Sequence, residues 1–445
     1  MKRRQLAGAI VSCLVLIACM PVPVRQDSAS LQTAVAQSAA GAPRLPGPGE
    51  SYLDAAWFDQ TLTVDRAVQA ALLNNPSVRG ELSRLDAAHA ERVQAGLLRN
   101  PMTTLMALRP EGGGRYELDY NLMQSLFDLF TRSRRIEAAD AAQRRTEAEV
   151  LVRLLALTQD SEAAYYDALA AQARLGLQHQ QLALDEEYLL LLQRQASHGA
   201  VPTSMALEQE AMTATRAHEV RSAEAELAQA RSGLAQQLGL PSAAVLRLPD
   251  SLDAPVVPGL DGPTLQALAA SHRPELRAAQ AGLDQAGTEL SLQSGTLRAT
   301  DPSLGLAGVR ETDGFWMNGL ELQITIPILD TGRARGDLAR AQIAQAEAEA
   351  ESIRRQVPLD VERALATLAA AQVAAEHADH HLHQQLLLEE LARQNYRQGS
   401  TDLLRYRQST QARLLSAIDQ VNSRQAVWTA LIALQRATGV AATGQ

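Results

Sequence analysis

The densest group of metal-ligand side chains in the sequence is His377, His380, His381 and His383. His377 and His381 stand four apart, which on a helix puts both imidazoles on one side, where they could grip a single metal ion. A solvated helix face produces the same pattern, and that is the preferred reading. Paired carboxylates occur at Glu186-Glu187 and Glu389-Glu390. Adjacent residues on a helix point to different sides, so both pairs read as surface charges in preference to an acid/base pair. The chain carries no Gly-Xaa-Ser-Xaa-Gly, no phosphate loop, no Gly-rich dinucleotide turn and no His-Glu-Xaa-Xaa-His. Neither a catalysed reaction nor a cofactor is expected. A formal charge of -9 without a basic stripe gives no footing for nucleic acid.

The remaining reactive side chain is Cys19. Lys2-Arg3-Arg4 form a charged stretch and Leu6 to Ile17 an apolar one, so residues 1–18 read as a signal peptide. Leu16-Ile17-Ala18-Cys19 is similar to a bacterial lipobox, which implies cleavage before Cys19 and acylation of its thiol and amine; a plain secretory signal with an incidental cysteine is the alternative. By resemblance to enteric sorting rules, Met20 after the cysteine favours the outer membrane. Cys13 leaves with the signal, so no intramolecular disulfide is expected. Residues 19–61, rich in Ala, Pro, Ser and Gly, read as an extended arm leading from the anchor. No other stretch has about 18 consecutive apolar residues, so no membrane-spanning helix is expected.

The elements that follow occur twice. Asn75-Pro76 is answered by Arg273-Pro274, Pro101 by Pro302, Asp128 by Asp330, Gly199 by Gly399 and Gly239 by Gly439. The offsets are 198, 201, 202, 200 and 200 residues, so the order of landmarks is kept. A long-period repeat is an architectural signal. It divides the chain into a first repeat, 62–240, a proline-rich linker, 241–262, a second repeat, 263–439, and a tail, 440–445.

Each repeat is predicted to hold a short helix, a strand pair, a very long helix, a Gly turn and another short helix. Long helices are expected over 132–196 and 333–398, each roughly 100 Å. Ile343, Ala346, Ala350, Ile353, Val357, Val361, Leu365 and Leu368 repeat every three or four residues, a coiled-coil seam. Pro358 should bend the second long helix at Val357. Helices over 64–98 and 203–238, laid end to end, match one long helix in length; 263–298 and 403–437 do the same in the second repeat. Hairpins are expected over 102–126 and 303–328. Tyr116, Leu118, Tyr120 and Leu122 alternate with Glu117, Asp119 and Asn121, and Leu320, Leu322, Ile324 and Ile326 with Glu321, Gln323 and Thr325. Period-two alternation of apolar residues with carboxylates suits a barrel with lipid on one side and water on the other. Tyr116, Tyr120, Phe127, Phe130, Phe315 and Trp316 cluster at the hairpins, as interfacial girdles do. Four strands cannot close a barrel on their own, and open edges are not tolerated in lipid, so either the sheet is soluble or several copies contribute, a dimer giving eight strands and a trimer 12; with a lipid anchor and long helices the second is preferred.

In this order and duplication the chain resembles the TolC-type outer-membrane efflux family, specifically its lipid-anchored branch. The resemblance rests on Trp57-Phe58, Leu62-Thr63-Val64-Asp65-Arg66-Ala67 through Leu72-Leu73-Asn74-Asn75-Pro76, and Ala164-Tyr165-Tyr166-Asp167. It continues in Ile326-Pro327-Ile328-Leu329-Asp330-Thr331-Gly332-Arg333, with Ser125 to Arg132 as a weaker copy lacking the glycine, and in Tyr396-Arg397-Gln398-Gly399. It implies a mainly α protein with a membrane β part. Duplicated coiled-coil hairpins would form an α-barrel, and a homotrimer would close a 12-stranded β-barrel in outer-membrane lipid. It implies passive export of small molecules (drugs, toxic organics or metal ions) delivered by an inner-membrane pump of the resistance-nodulation-division type through a periplasmic adaptor. It places a strand-to-helix turn at Asp128 and at Asp330, Gly332 and Arg333. It places a periplasmic tip with adaptor docking at Gly199, Val201, Gly399, Ser400 and Thr401. The family's acidic ring after the second glycine is not reproduced: Asp402 is followed by Arg405 and Arg407, so Asp402 and Arg405 are the candidate constriction. The alternatives are the outer channel of a type I secretion system and a periplasmic coiled-coil lipoprotein without a pore.

Overall fold

The computed structural model describes residues 29–39, 41–241, 246–257, 259, 261–293, 301–326 and 328–440. The signal peptide, Cys19 and Pro327 lie outside them. The chain divides into two compact units, one holding 81–150 and 275–353 and the other 29–80, 151–274 and 354–445.

The first unit contains the sheet. Strands β1 (Met102–Leu108), β2 (Glu117–Ser125), β3 (Ser303–Arg310) and β4 (Trp316–Gln323) pair antiparallel in sequence order. The register sets Leu105 opposite Tyr120, Tyr120 opposite Gly308 and Gly308 opposite Asn318. β4 stops at Gln323, short of the expected span; Ile324 and Ile326 continue as exposed chain outside the strand. At the foot of the sheet, Arg99 donates to Asp128 (2.9 Å), Ser125 Oγ (3.2 Å) and Asp301 (3.1 Å), tying the two hairpins together.

Most of the second unit is helix. Helix α1 (Ala29–Ser38) opens it, followed by a 3-10 turn (Ala55–Asp59), α2 (Val64–Asn74) and α3 (Pro76–Ala95), which continues into the first unit. The arm is therefore not a free spacer. Leu31, Val35 and Leu45 are buried, Gln32 bonds the backbone of Pro43 and Leu45, and Arg79 lies 4.0 Å over the Tyr52 ring. Its apolar residues stabilise it once they have a surface to pack on, and composition alone does not show that surface.

The long helices are α4 (Phe127–Ser197) and α8 (Arg333–Arg397), partnered by α5 (Thr203–Gln237) and α9 (Leu403–Thr438). Both long helices cross from one unit to the other. At 71 and 65 residues they run roughly 100 Å each. α8 runs through Pro358 as one helix. Ala350, Val357, Val361 and Leu368 are buried along it. Where one helix was expected over 263–298 there are two, α6 (Gly262–His272) and α7 (Pro274–Gln293), just as α2 and α3 replace one over 64–98. Each break falls at the residue before a proline, where ring sterics exclude the α region: Asn75 has ψ 123° and Arg273 ψ 119°.

Those breaks receive the ends of the short helices. Gly239 (φ 66°) follows α5, and a Cβ on it would stand 2.6 Å from the Asn75 Cα. Gly439 (φ 73°) follows α9, and its Cβ would stand 3.0 Å from the Arg273 Cα. Only glycine tolerates both the left-handed conformation and this backbone approach. Asn74 Nδ2 donates to the carbonyls of Leu238 (2.9 Å) and Gly239 (3.1 Å), sealing the first junction. Around it Leu62, Ala67, Ala71, Tyr165, Leu169, Leu234 and Leu238 form a buried core, joined by Leu246 and Leu248 of the linker. Tyr166 stacks on Trp428 at 4.0 Å, bringing residues of both repeats together.

Candidate functional site

Two places concentrate the features that bear on function, the sheet and the helix ends beyond the Gly turns.

The register sorts the sheet into two faces, since directly paired residues point the same way. One face carries Leu105, Leu118, Tyr120, Leu122, Leu304, Leu306, Trp316, Leu320 and Leu322. Most of these are exposed, Leu105 at 78% and Leu320 at 80%. The Tyr120 ring covers Gly308, and its hydroxyl donates to Asn318 Oδ1 at 2.6 Å. The other face carries Thr104, Glu117, Asp119, Asn121, Ser125, Ser303, Glu321 and Gln323, with four methionines among them. Tyr116, Phe130, Phe315 and Trp316 are exposed rather than packed in a sheet core. Edges β1 and β4 have no strand partner among the described residues.

At the strand-to-helix turns the two repeats differ. Asp128 is buried and accepts from the Arg99 side chain and amide (2.9 and 3.1 Å), with Arg135 at 3.8 Å. Burial opposes its charge, but these donors outweigh burial and hold its carboxyl below the usual range. Asp330 is exposed and accepts from the amide of Gly332 (φ 78°) at 2.9 Å and from the Arg335 side chain. That amide and Arg335 hold its carboxyl low. Arg333 is the first residue of α8.

The Gly turns are matching helix ends. Gly199 (φ 70°) donates to Ala196 O and Ala200 to Gln195 O; Gly399 (φ 71°) donates to Tyr396 O and Ser400 to Asn395 O. Both are Schellman-type closures, with open space where a Cβ would go. Val201 and Thr401 follow, half-buried. Asp402 caps α9, its carboxylate accepting the Arg405 amide at 2.9 Å. Arg405 itself is exposed.

Two residues further on, the structure reveals a site the sequence did not announce. Arg407 is buried on α9 and donates to Asp185 of α4 (3.2 Å) and Gln209 of α5 (3.2 Å), with its guanidinium 4.1 Å over the Tyr188 ring. Arg216 also reaches Asp185 at 3.5 Å. The signal was there in part: Leu403, Arg407, Thr410, Leu414, Ala417 and Val421 keep an apolar helical spacing that a charge interrupts.

The clustered histidines lie on α8. His381 meets Ser416 Oγ at 3.1 Å and Gln385 at 3.2 Å, and His377 is exposed. Among the described residues no group of three His, Cys, Asp or Glu side chains could hold an ion. Glu389 and Glu390 pair with Arg413 and Arg393, each at 2.7 Å. A cavity of about 440 Å³ lies among Asp160, Arg273, Asp360, Arg363 and Arg436, whose charges are matched within it: Arg273–Asp360 at 2.9 Å and Arg436–Asp160 at 2.6 Å. No described helix is long and apolar enough to cross a membrane.

Comparison with known proteins identifies the architecture. Outer membrane protein OprJ of Pseudomonas aeruginosa is 27% identical over 475 residues, covering 97% of this chain and 95% of that protein. Protein CyaE of Bordetella pertussis is 29% identical over 358 residues, 71% of each. In fold, the chain matches the crystal structure of the outer membrane protein VceC from Vibrio cholerae with a TM-score of 0.68 and 18% identity, over 85% of this chain and 97% of that one. Residues 265–440 match the family model described as outer membrane efflux protein. The likeness to that family thus rests on residues 265–440, and the fold extends the likeness to solved outer-membrane channels across the first repeat.

Proposed function

We propose that the protein is the outer-membrane channel of a tripartite efflux system, a passive conduit for small molecules. The observation that carries this reading is the four-stranded sheet: one face exposes leucines and aromatics, the other presents carboxylates and amides, and neither edge has a strand partner among the described residues. A periplasmic spacer has no use for that pattern. In lipid it becomes satisfied when copies close a barrel, because every backbone group then finds a partner. Three copies supply 12 strands with an apolar outside and a wet inside. The long hairpins of α4 with α5 and α8 with α9 extend the conduit through the periplasm. The Gly199 and Gly399 turns, with Val201, Ser400, Thr401, Asp402 and Arg405, form its far end, where an adaptor and an inner-membrane pump of the resistance-nodulation-division type engage. Cys19 carries the covalent lipid that tethers the chain to the outer membrane. No bond is made or broken in the cargo.

Single-channel conductance in a planar bilayer, with oligomer mass in detergent, tests this. A trimer with discrete conductance steps is expected; a monomer without conductance overturns it. Metabolic labelling with a palmitate analogue should mark the wild type and not Cys19→Ser.

A further inference from the structure

Two arginines stand at one end of the sheet, each beside an aromatic ring. Arg310 closes β3 and is paired across the strands with Leu118 on one side and Trp316 on the other, so all three point to the leucine-bearing face. Its guanidinium carbon lies 5.8 Å from the centre of the Trp316 ring. The first hairpin repeats the arrangement. Leu108 pairs with Glu117, and one step further the register brings Arg109 to Tyr116, with the Arg109 guanidinium 5.9 Å from the Tyr116 ring centre. Arg109, Tyr116 and Trp316 are exposed, and Arg310 is half-buried. Both pairs occupy the end where the hairpins turn. The links to the helices all leave from the other end, at Met102, Ser125, Ser303 and Gln323. That end is about 24 Å from Arg310 along the strand.

A cation beside an apolar face needs an anion, and the chain does not supply one. Neither guanidinium forms an ion pair among the described residues. In the same unit Arg92, Arg99, Arg145, Arg335 and Arg340 each have a carboxylate. The acids near the two arginines are engaged or directed elsewhere. Glu117 shares the opposite face with Leu108, and the Asp313 carboxylate accepts the Phe315 amide at 2.8 Å. Glu111 and Glu311 lie in the turns without reaching either guanidinium. Nε of Arg310 has no hydrogen-bond partner among the described residues. Guanidinium offers a fork of donors that fits phosphate, and a ring beside it holds the cation where hydrocarbon meets water. A charge facing lipid is costly unless it reaches the headgroups. We infer that Arg109 with Tyr116 and Arg310 with Trp316 bind the phosphates of lipid headgroups. This rests on the channel reading, which puts the leucine-bearing face in lipid and the helices in the periplasm, so the leaflet is the outer one. The two arginines stand about 12 Å apart between backbones. They are two contacts, not one shared site, and a headgroup carrying two phosphates can meet both.

The test uses the full-length protein, purified in detergent and freed of loosely bound lipid, with affinity read by native mass spectrometry. The probes are lipid A, whose sugar headgroup carries two phosphates, and the same lipid after enzymatic removal of both, so the acyl chains are constant. The wild type should prefer the phosphorylated form by about 10-fold or more. R109Q/R310Q should lose that preference. R194Q/R221Q, which removes two exposed charges from α4 and α5, should keep it. Equal affinity of the wild type for the two lipids, a result that needs no variant to fold, would overturn the inference, as would an unchanged preference in R109Q/R310Q. Inorganic phosphate at matched concentration should not displace the lipid; if it does, the arginines take a free anion and the lipid assignment falls. Conductance is measured in parallel: a conducting trimer without a preference sinks the headgroup contacts alone, and phosphate-dependent binding by a non-conducting protein sinks the channel reading alone.

Discussion

Arg407 of the second repeat and Asp185 of the first meet at 3.2 Å across 222 residues of sequence, and both side chains are buried. The pair is held from three helices, with Gln209 on Arg407 and Arg216 on Asp185. Removing one partner leaves the other charge in a low-dielectric place, which costs more than the pair contributes when intact. Arg407→Met should therefore destabilise the protein by about 3 kcal/mol, moderated by Arg216, while D185L/R407M should recover much of that loss. Thermal melts of the single and double variants in detergent decide it; an additive double variant would show that the two residues do not act together.

The buried carboxyl of Glu162 on α4 is pushed up to about 7, first by burial and then by the negative charge of Asp65. Between the ordinary 4.5 and that value the folded state holds a proton that the unfolded chain has released. Its stabilising effect is thus complete below pH 4.5 and lost as pH rises to 7. The span corresponds to order 3 kcal/mol. Glu162→Gln should flatten the fall in melting temperature between those limits. Glu50 has the opposite sign: Arg44 first, then the Gly47 amide, lower it to about 2, so its contribution is lost on acidification below the ordinary range. An unchanged pH profile in Glu162→Gln would remove Glu162 as its source.

Glycines with the same φ should respond differently to alanine. Gly239 and Gly439 face backbone within 3.0 Å of a Cβ, whereas Gly199 and Gly399 face open space. Gly199→Ala and Gly399→Ala should cost about 1 kcal/mol, the left-handed penalty alone. Gly239→Ala and Gly439→Ala should cost several-fold more, because the Asn75 and Arg273 breaks must also move. Denaturant titration of the four variants gives the order directly.

Lipid contact on one sheet face is tested by charge. Leu320→Lys should cost about 2–4 kcal/mol of folding free energy in vesicles, while Thr104→Lys on the other face should cost far less. Equal costs would mean that the two faces are not divided between lipid and water.

What was legible before the structure followed from local periodicity. Strand alternation around Tyr120 and Leu320 and the three-four spacing of Val357, Val361 and Leu368 needed no tertiary knowledge. Asn75-Pro76 and Arg273-Pro274 stand out as landmarks in the sequence, and proline sterics make each of them a helix end. The packing of α1 escaped because an Ala- and Ser-rich segment becomes a helix only when Leu31 and Val35 find a surface. Asp185 and Arg407 escaped because no local pattern can announce a partner on the other side of the repeat.

The duplication is not perfect at that pair, and the imperfection is directional. With Gly199 and Gly399 aligned, the counterpart of Asp185 is Gln385 and that of Arg407 is Leu207, so the mirror pairing has neither charge. In a ring of copies the seam inside each chain would carry this ion pair, and the position that answers it between chains would lack both charges. A wall built this way would loosen between chains first, each chain parting as an intact stave with its own two halves still fastened.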